Sequence, residues 1–158
     1  ADHLLISRQF TSEKKQFKQI AKLIDFFNEN RINSTLVGSA VEFYTAEDDL
    51  LLTFILQNKE NLKFLENMNI KKINSYFYLN LKTYLFNTNK ELKIIANKHN
   101  ISFLNRFDFT CNIKKRLCFG LDQFGKKLFM DYSHFTEAGL NFFAQRIYET
   151  NWLSKVNF

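Results

Sequence analysis

Apolar residues change their spacing several times along the chain, and each change marks an element. Leu4-Leu5-Ile6 is a short apolar run followed at once by polar residues, the pattern of a buried parallel strand. From Ser12 the period becomes 3.6. Phe17, Ile20, Ala21, Ile24 and Phe27 fall on one face and Lys14, Lys15, Lys18 and Lys22 off it, which predicts a helix with Thr11 or Ser12 as its cap. Thr35-Leu36-Val37-Gly38 is β-branched and apolar and reads as a second buried strand. Strand, helix and strand in this order predict neighbouring parallel strands joined by a right-handed crossover, and hence an α/β sheet with helices on its faces.

Residues 45–99 read as mostly helical, over Glu47 to Gln57 and again over Asn74 to Asn97, with Leu62 to Ile73 unassigned. Ile101-Ser102-Phe103-Leu104 predicts a third strand. A loop bearing Lys and Arg runs from Asp108 to Gly125, and Leu128-Phe129-Met130 continues as an extended segment. The last helix has Thr136 as its natural cap and Leu140, Phe143, Ala144 and Ile147 as its apolar face. Tyr76, Phe77, Tyr78, Tyr84 and Phe86 form the densest aromatic stretch and read as a helix-packing face. No internal repeat is present.

A length of 158 residues suits one ordinary domain. With 46% hydrophobic and 24% charged residues the chain has the composition of a protein with a packed core, which excludes wholesale disorder and a disulfide-only scaffold. The longest apolar run, Leu50 to Leu56, is far short of the roughly 20 residues that span a bilayer. The chain opens at Ala1 with neither Met nor a signal sequence, so a mature, truncated or excised segment is expected.

The net charge of +6 permits binding to nucleic acid or acidic membranes. Composition offers a plainer source. Proline is absent where average usage gives about eight, and Asn, Lys, Ile and Phe are abundant, as under A+T-rich codon usage. Without an arginine cluster or a nucleic-acid signature, the expectation is a solvated basic surface and no nucleic-acid partner.

The chemistry concentrates in Asp131-Tyr132-Ser133-His134, where an extended segment meets a helix. A turn there can fold the carboxylate onto the imidazole, fixing its tautomer and leaving the second ring nitrogen to take a proton from a nucleophile. Taken in isolation, the same spacing describes a surface Asp beside a His that caps a helix, and that plainer arrangement is then favoured. His3 and His99 read as solvent-facing or capping residues. Cys111 and Cys118 can close a disulfide if their Cα atoms come within about 7 Å, or can remain two thiols. Without a second pair of ligands they do not complete a zinc shell, and no cofactor is expected.

The stretch from Lys127 to Gly139 resembles the last conserved block of SGNH (GDSL-type) hydrolases, in which an Asp-x-x-His pair is followed by an aromatic or aliphatic residue, Thr or Ser, and a Gly. The likeness is nearest to SGNH domains attached to bacterial membrane O-acyltransferases that modify surface polysaccharides. It implies a three-layer α/β/α sandwich with a short parallel sheet, flavodoxin-like in plan. It also implies that Asp2 to Arg8 form a central strand and its loop, and that Cys111 and Cys118 form a disulfide in a periplasmic or extracytoplasmic compartment. Within it His134 is the general base and Asp131 its orienting acid. Ser7, Arg8 and Ser39, at strand ends, line the substrate pocket.

The chain departs from the family in one respect. It has no Gly-Asp-Ser block, so the nucleophilic serine and its strand are expected upstream of Ala1. Ser39, in Gly38-Ser39-Ala40, is the best internal substitute, but small residues after a strand are ordinary turn chemistry. The resemblance therefore implies part of a serine esterase or O-acyltransferase acting on acylated carbohydrate, with a membrane acyltransferase domain as its upstream partner. The alternative is an SGNH-like module that has lost its nucleophile and binds glycan or a partner.

Overall fold

The computed structural model describes residues 3–44 and 69–156; the helix expected over 47–57 lies outside the described residues. In chain order the elements are β1 (His3–Ser7), α1 (Lys14–Glu29), β2 (Asn33–Val37), α2 (Ile70–Leu79), α3 (Tyr84–Lys98), β3 (Ser102–Leu104), α4 (Phe107–Thr110), β4 (Cys111–Asn112), β5 (Leu117–Cys118) and α5 (Glu137–Glu149). A single 3₁₀ turn, Trp152–Lys155, follows. The chain is a mixed α/β protein with a three-stranded parallel sheet, and it divides into two compact units.

The first unit comprises Ala1–Ala40, Thr83–Arg106 and Asn151–Phe158. Its sheet runs in the order β1-β2-β3, each strand adding on the same side of the last. Ile6, Leu36 and Phe103 are register partners and share one face. That face meets Ile20 and Ile24 of α1, Leu92 and Ala96 of α3, and Phe10. Burying a Leu or Ile side chain this completely contributes about 1.5–3 kcal/mol, which explains why the 3.6-residue period of α1 and the short strand patterns agree. β1 lies at the edge of the described sheet, and its Leu4 and Leu5 are 40% and 56% exposed, so it is not central among the described strands.

α1 begins at Lys14 with Glu13 as its cap residue and no side-chain cap bond, so neither Thr11 nor Ser12 caps it. The Thr11 N–H is instead taken by Gln16 Oε1 at 3.0 Å. The helix expected over 74–97 is two helices. The break needs no Gly or Pro, because the backbone at 80–82 pairs elsewhere: Asn80 O accepts from Tyr44 N–H at 2.7 Å and Lys82 N–H donates to Glu42 O at 2.8 Å, around a bridge between Phe43 and the buried Leu81.

The second unit comprises Val41–Lys82 and Phe107–Thr150, and its core is aromatic. Phe43 packs edge-on against Phe77 and Phe129 with ring centroids 5.1 Å apart, and Phe135 lies 4.5 Å from Phe143. Asn74 of α2 is buried and satisfied, its Oδ1 accepting from Gly120 and Leu121 N–H and its Nδ2 donating to Leu121 O. Most of the loop expected from Asp108 to Gly125 is ordered as α4 and the β4–β5 hairpin, in which Cys111 and Cys118 are register partners joined by a disulfide. Closing so short a loop contributes on the order of 2 kcal/mol in the chain-entropy account.

α5 starts where expected, with Thr136 Oγ1 accepting from Gly139 N–H at 3.0 Å. Its buried face is turned from the one predicted. Gly139 and Phe143 are buried, whereas Leu140 is 60% exposed and Ala144 is exposed. The reason is a close approach: a Cβ on Gly139 would stand 2.0 Å from the Leu128 carbonyl oxygen. Only glycine lets the first turn of α5 lie on that backbone, and this fixes which face looks inward.

Candidate active site

Asp131 and His134 sit in a tight turn held from outside by the aromatic core. Phe129 and Phe135 form an antiparallel bridge, their rings 5.1 Å apart, and Met130 N–H donates to His134 O at 2.7 Å. Thr136 closes the base of the turn, its N–H donating to Leu128 O at 3.0 Å and its hydroxyl to Lys127 O at 2.6 Å. Alternation of buried Phe129, exposed Met130 and half-buried Phe135 thus leaves residues 131–134 to project from the core.

Within the turn, Asp131 Oδ1 accepts from the backbone N–H of Ser133 and of His134, both at 2.8 Å, and Oδ2 meets His134 Nδ1 at 2.7 Å. Burial by itself would raise the Asp131 carboxyl. The two backbone N–H groups, the ring hydrogen bond and the imidazole charge outweigh it and hold the group below its ordinary range. A carboxylate ionised at neutral pH can only accept, so Nδ1 carries the ring proton and the lone pair of a neutral ring resides on Nε2. Among the described residues Nε2 has no hydrogen-bond partner, and the His134 side chain is 70% exposed. The ring leans edge-on towards Tyr132 at 6.3 Å, and the Tyr132 ring lies under Lys82 Nζ, itself 3.0 Å from Glu42.

The residues predicted to line the substrate pocket, Ser7, Arg8 and Ser39, belong to the first unit and lie at or just past the carboxyl ends of its strands. Ser7 ends β1 and its hydroxyl bonds to the Arg106 guanidinium. Ser7 and Arg8 line a cavity of about 250 Å³ whose other wall is Ile20 and Leu23 of α1. Ser39 differs from expectation. It is fully buried, its hydroxyl accepting from Phe10 N–H at 3.1 Å and donating to Phe10 O at 3.2 Å, so it braces two loops and presents no surface to a ligand. Its own N–H donates to Asn89 Oδ1 at 2.8 Å, and Asn89 Nδ2 reaches Asn105 Oδ1 at 3.2 Å.

Arg106 and this buried amide network were not singled out from the sequence. The signal for Arg106 was its place two residues beyond the third strand, where α/β sheets gather functional groups. Burial draws its guanidinium below the ordinary value, although it keeps its proton. Among the described residues no group of three or more His, Cys, Asp or Glu side chains stands close enough to hold a metal ion, and no helix is long and apolar enough to cross a membrane. No protein-family model matches the chain, and no curated protein matches it.

Proposed function

We propose that this chain is the C-terminal part of an SGNH-type serine esterase or O-acyltransferase, a three-layer α/β/α domain acting on acyl, chiefly acetyl, esters of surface glycans. The observation that carries the proposal is the Asp131–His134 contact at 2.7 Å with Nε2 left open. A serine outside these 158 residues attacks the acyl carbonyl while Nε2 accepts its proton. The imidazolium so formed is stabilised by Asp131 and then delivers that proton to the leaving oxygen as the ester C–O bond breaks. A second nucleophile, water or a glycan hydroxyl, releases the acyl group by the same steps in reverse.

Three further features support this reading. The β1 edge is open among the described strands and flanked by an apolar cavity, as an additional parallel strand and its helix require. Gly139 has a steric reason to follow the Asp-x-x-His pair at its spacing. The disulfide suits a periplasmic or extracytoplasmic site behind a membrane acyltransferase domain. A second reading, a non-catalytic module binding glycan or a partner, is favoured by the openness of the His134 ring, since desolvation strengthens a catalytic hydrogen bond.

Hydrolysis of an aryl acetate tests the proposal. The 158-residue chain is expected to show none above background, and the chain extended upstream to its serine is expected to turn over. Activity in the short chain that disappears on Ser39→Ala would overturn the placement of the nucleophile. An inactive extended chain that carries the serine favours the second reading.

A further inference from the structure

A cavity of about 430 Å³ lies in the second unit between α5 and the loop that follows the β4–β5 hairpin. This falls within the range of small-molecule sites, roughly 300–1,000 Å³. Its helical wall runs from Ala138, four residues after His134, to Glu149, about 16 Å at 1.5 Å per residue. It is a groove rather than a hole. The opposite wall is fixed by Asp122, whose Oδ1 accepts from Phe124 and Lys126 N–H at 2.9 and 2.8 Å, and this turn holds the Phe124 ring out with 77% exposure.

The lining selects a ligand class. Phe119 and Phe142 pack at 5.5 Å to form an aromatic floor, and Phe124 also lines the groove. Amides flank the rings: Gln123 and Asn141 have no hydrogen-bond partner among the described residues, so both can donate and accept. Two acidic side chains, Asp122 and Glu149, balance two basic ones, Lys126 and Arg146. Arg146 is already engaged by Glu149 at 3.6 Å and by the Phe119 ring at 4.7 Å. Cancelled charge gives no attraction for a polyanion, and rings bordered by free amides match a molecule with an apolar C–H face and a hydroxyl rim.

The geometry points to this groove as a binding cleft for a neutral oligosaccharide, with Phe124 stacking on a sugar face and Gln123 and Asn141 bonding its hydroxyls. As an acceptor site for acyl transfer it rests on the function proposed above. As a binding cleft it stands on its own lining, and its test reads binding rather than turnover.

The chain is passed over immobilised bacterial polysaccharides, neutral and anionic, at about 0.05 M and about 0.5 M salt. Retention of at least one neutral polymer at both ionic strengths is expected. Asn141→Trp, which fills the groove from an exposed helical position, is expected to abolish retention, and Phe124→Ala to weaken it roughly tenfold, the scale of a lost aromatic contact. Melting curves of both variants confirm that they fold. Retention of no neutral polymer, retention of anionic polymers alone that vanishes at the higher salt, or retention unaltered by a folded Asn141→Trp would each overturn the cleft.

Discussion

Each unit of the molecule contains an Asp–His pair at the same separation, and the two are built in opposite senses. Asp25 Oδ1 and His99 Nδ1 lie 2.7 Å apart, as do Asp131 Oδ2 and His134 Nδ1. In the first pair the ring is inside and the acid outside, with 13% and 55% of the side chains exposed. In the second the acid is 30% exposed and the ring 70%. His99 ends α3 and holds it to α1, where Asn28 Nδ2 also donates to its carbonyl oxygen at 3.2 Å. Asp131 is fixed by two backbone N–H groups of its own turn, so its partner ring needs no burial to be oriented. Contact distance therefore does not mark a general base. What separates the two is a carboxylate anchored by the backbone and a solvent-facing second ring nitrogen, the features on which the proposed general base rests; the first pair is a clamp.

On the function proposed above, the largest effect that can break this comparison is on catalysis by the protein extended to include the proposed serine. His134→Ala is expected to lower kcat/KM on an aryl acetate about 10⁴-fold or more, and Asp131→Asn by roughly tenfold to a hundredfold less than that, because the acid of a triad contributes less than its base. His99→Ala is expected to leave the rate unchanged. Equal losses from His99→Ala and His134→Ala would erase the distinction between clamp and base.

A smaller effect separates the two rings in the chain itself. Acylation of imidazole by diethylpyrocarbonate is expected to be faster at His134 than at His99, in keeping with 70% against 13% exposure, and mass mapping of the modified peptides reads it directly. His99→Ala is expected to cost about 1 kcal/mol or less in a denaturant melt, since its acidic partner is largely solvated. Preferential modification of His99 would mean that the ring of the first pair opens readily and is no clamp.

How legible these features were depends on the distance over which they are determined. The Asp131–His134 turn was readable because its hydrogen-bonded partners are local, with only two residues between Asp131 and His134 and Thr136 capping the helix that follows, although the aromatic core also holds the turn from outside. The three strands and α1 were readable because apolar periodicity is a local signal for a core that is largely aliphatic. The break at Asn80–Thr83 was not, because it is imposed by pairing with Glu42–Tyr44 and carries no Gly or Pro. The Asp25–His99 clamp joins α1 to the residue that ends α3, and no local pattern links positions so far apart in the chain. The face of α5 was misjudged for a related reason: hydropathy favoured Leu140, but the steric demand at Gly139 outranks one leucine.

The smallest effect sharpens the comparison through pH. The Asp131 carboxyl is held below its ordinary range in the folded chain, against about 3.9 when unfolded. Protons then bind the unfolded state more readily, so the turn's contribution to stability is complete above the unfolded value and is lost as pH falls through the lower folded one. Asp131→Asn retains an oxygen for the Ser133 and His134 N–H groups but cannot titrate. Thermal melts between about pH 2 and pH 5 should therefore show the parent losing stability more steeply than the variant below about pH 4, with the two curves parallel above it. The difference is expected to be modest because the carboxylate retains contact with solvent. It should persist in a His99→Ala background, since the clamp belongs to the other unit. Parallel curves throughout would mean that the backbone N–H groups do not hold the carboxylate in the folded chain, and the anchored acid that distinguishes the second pair from the first would be lost.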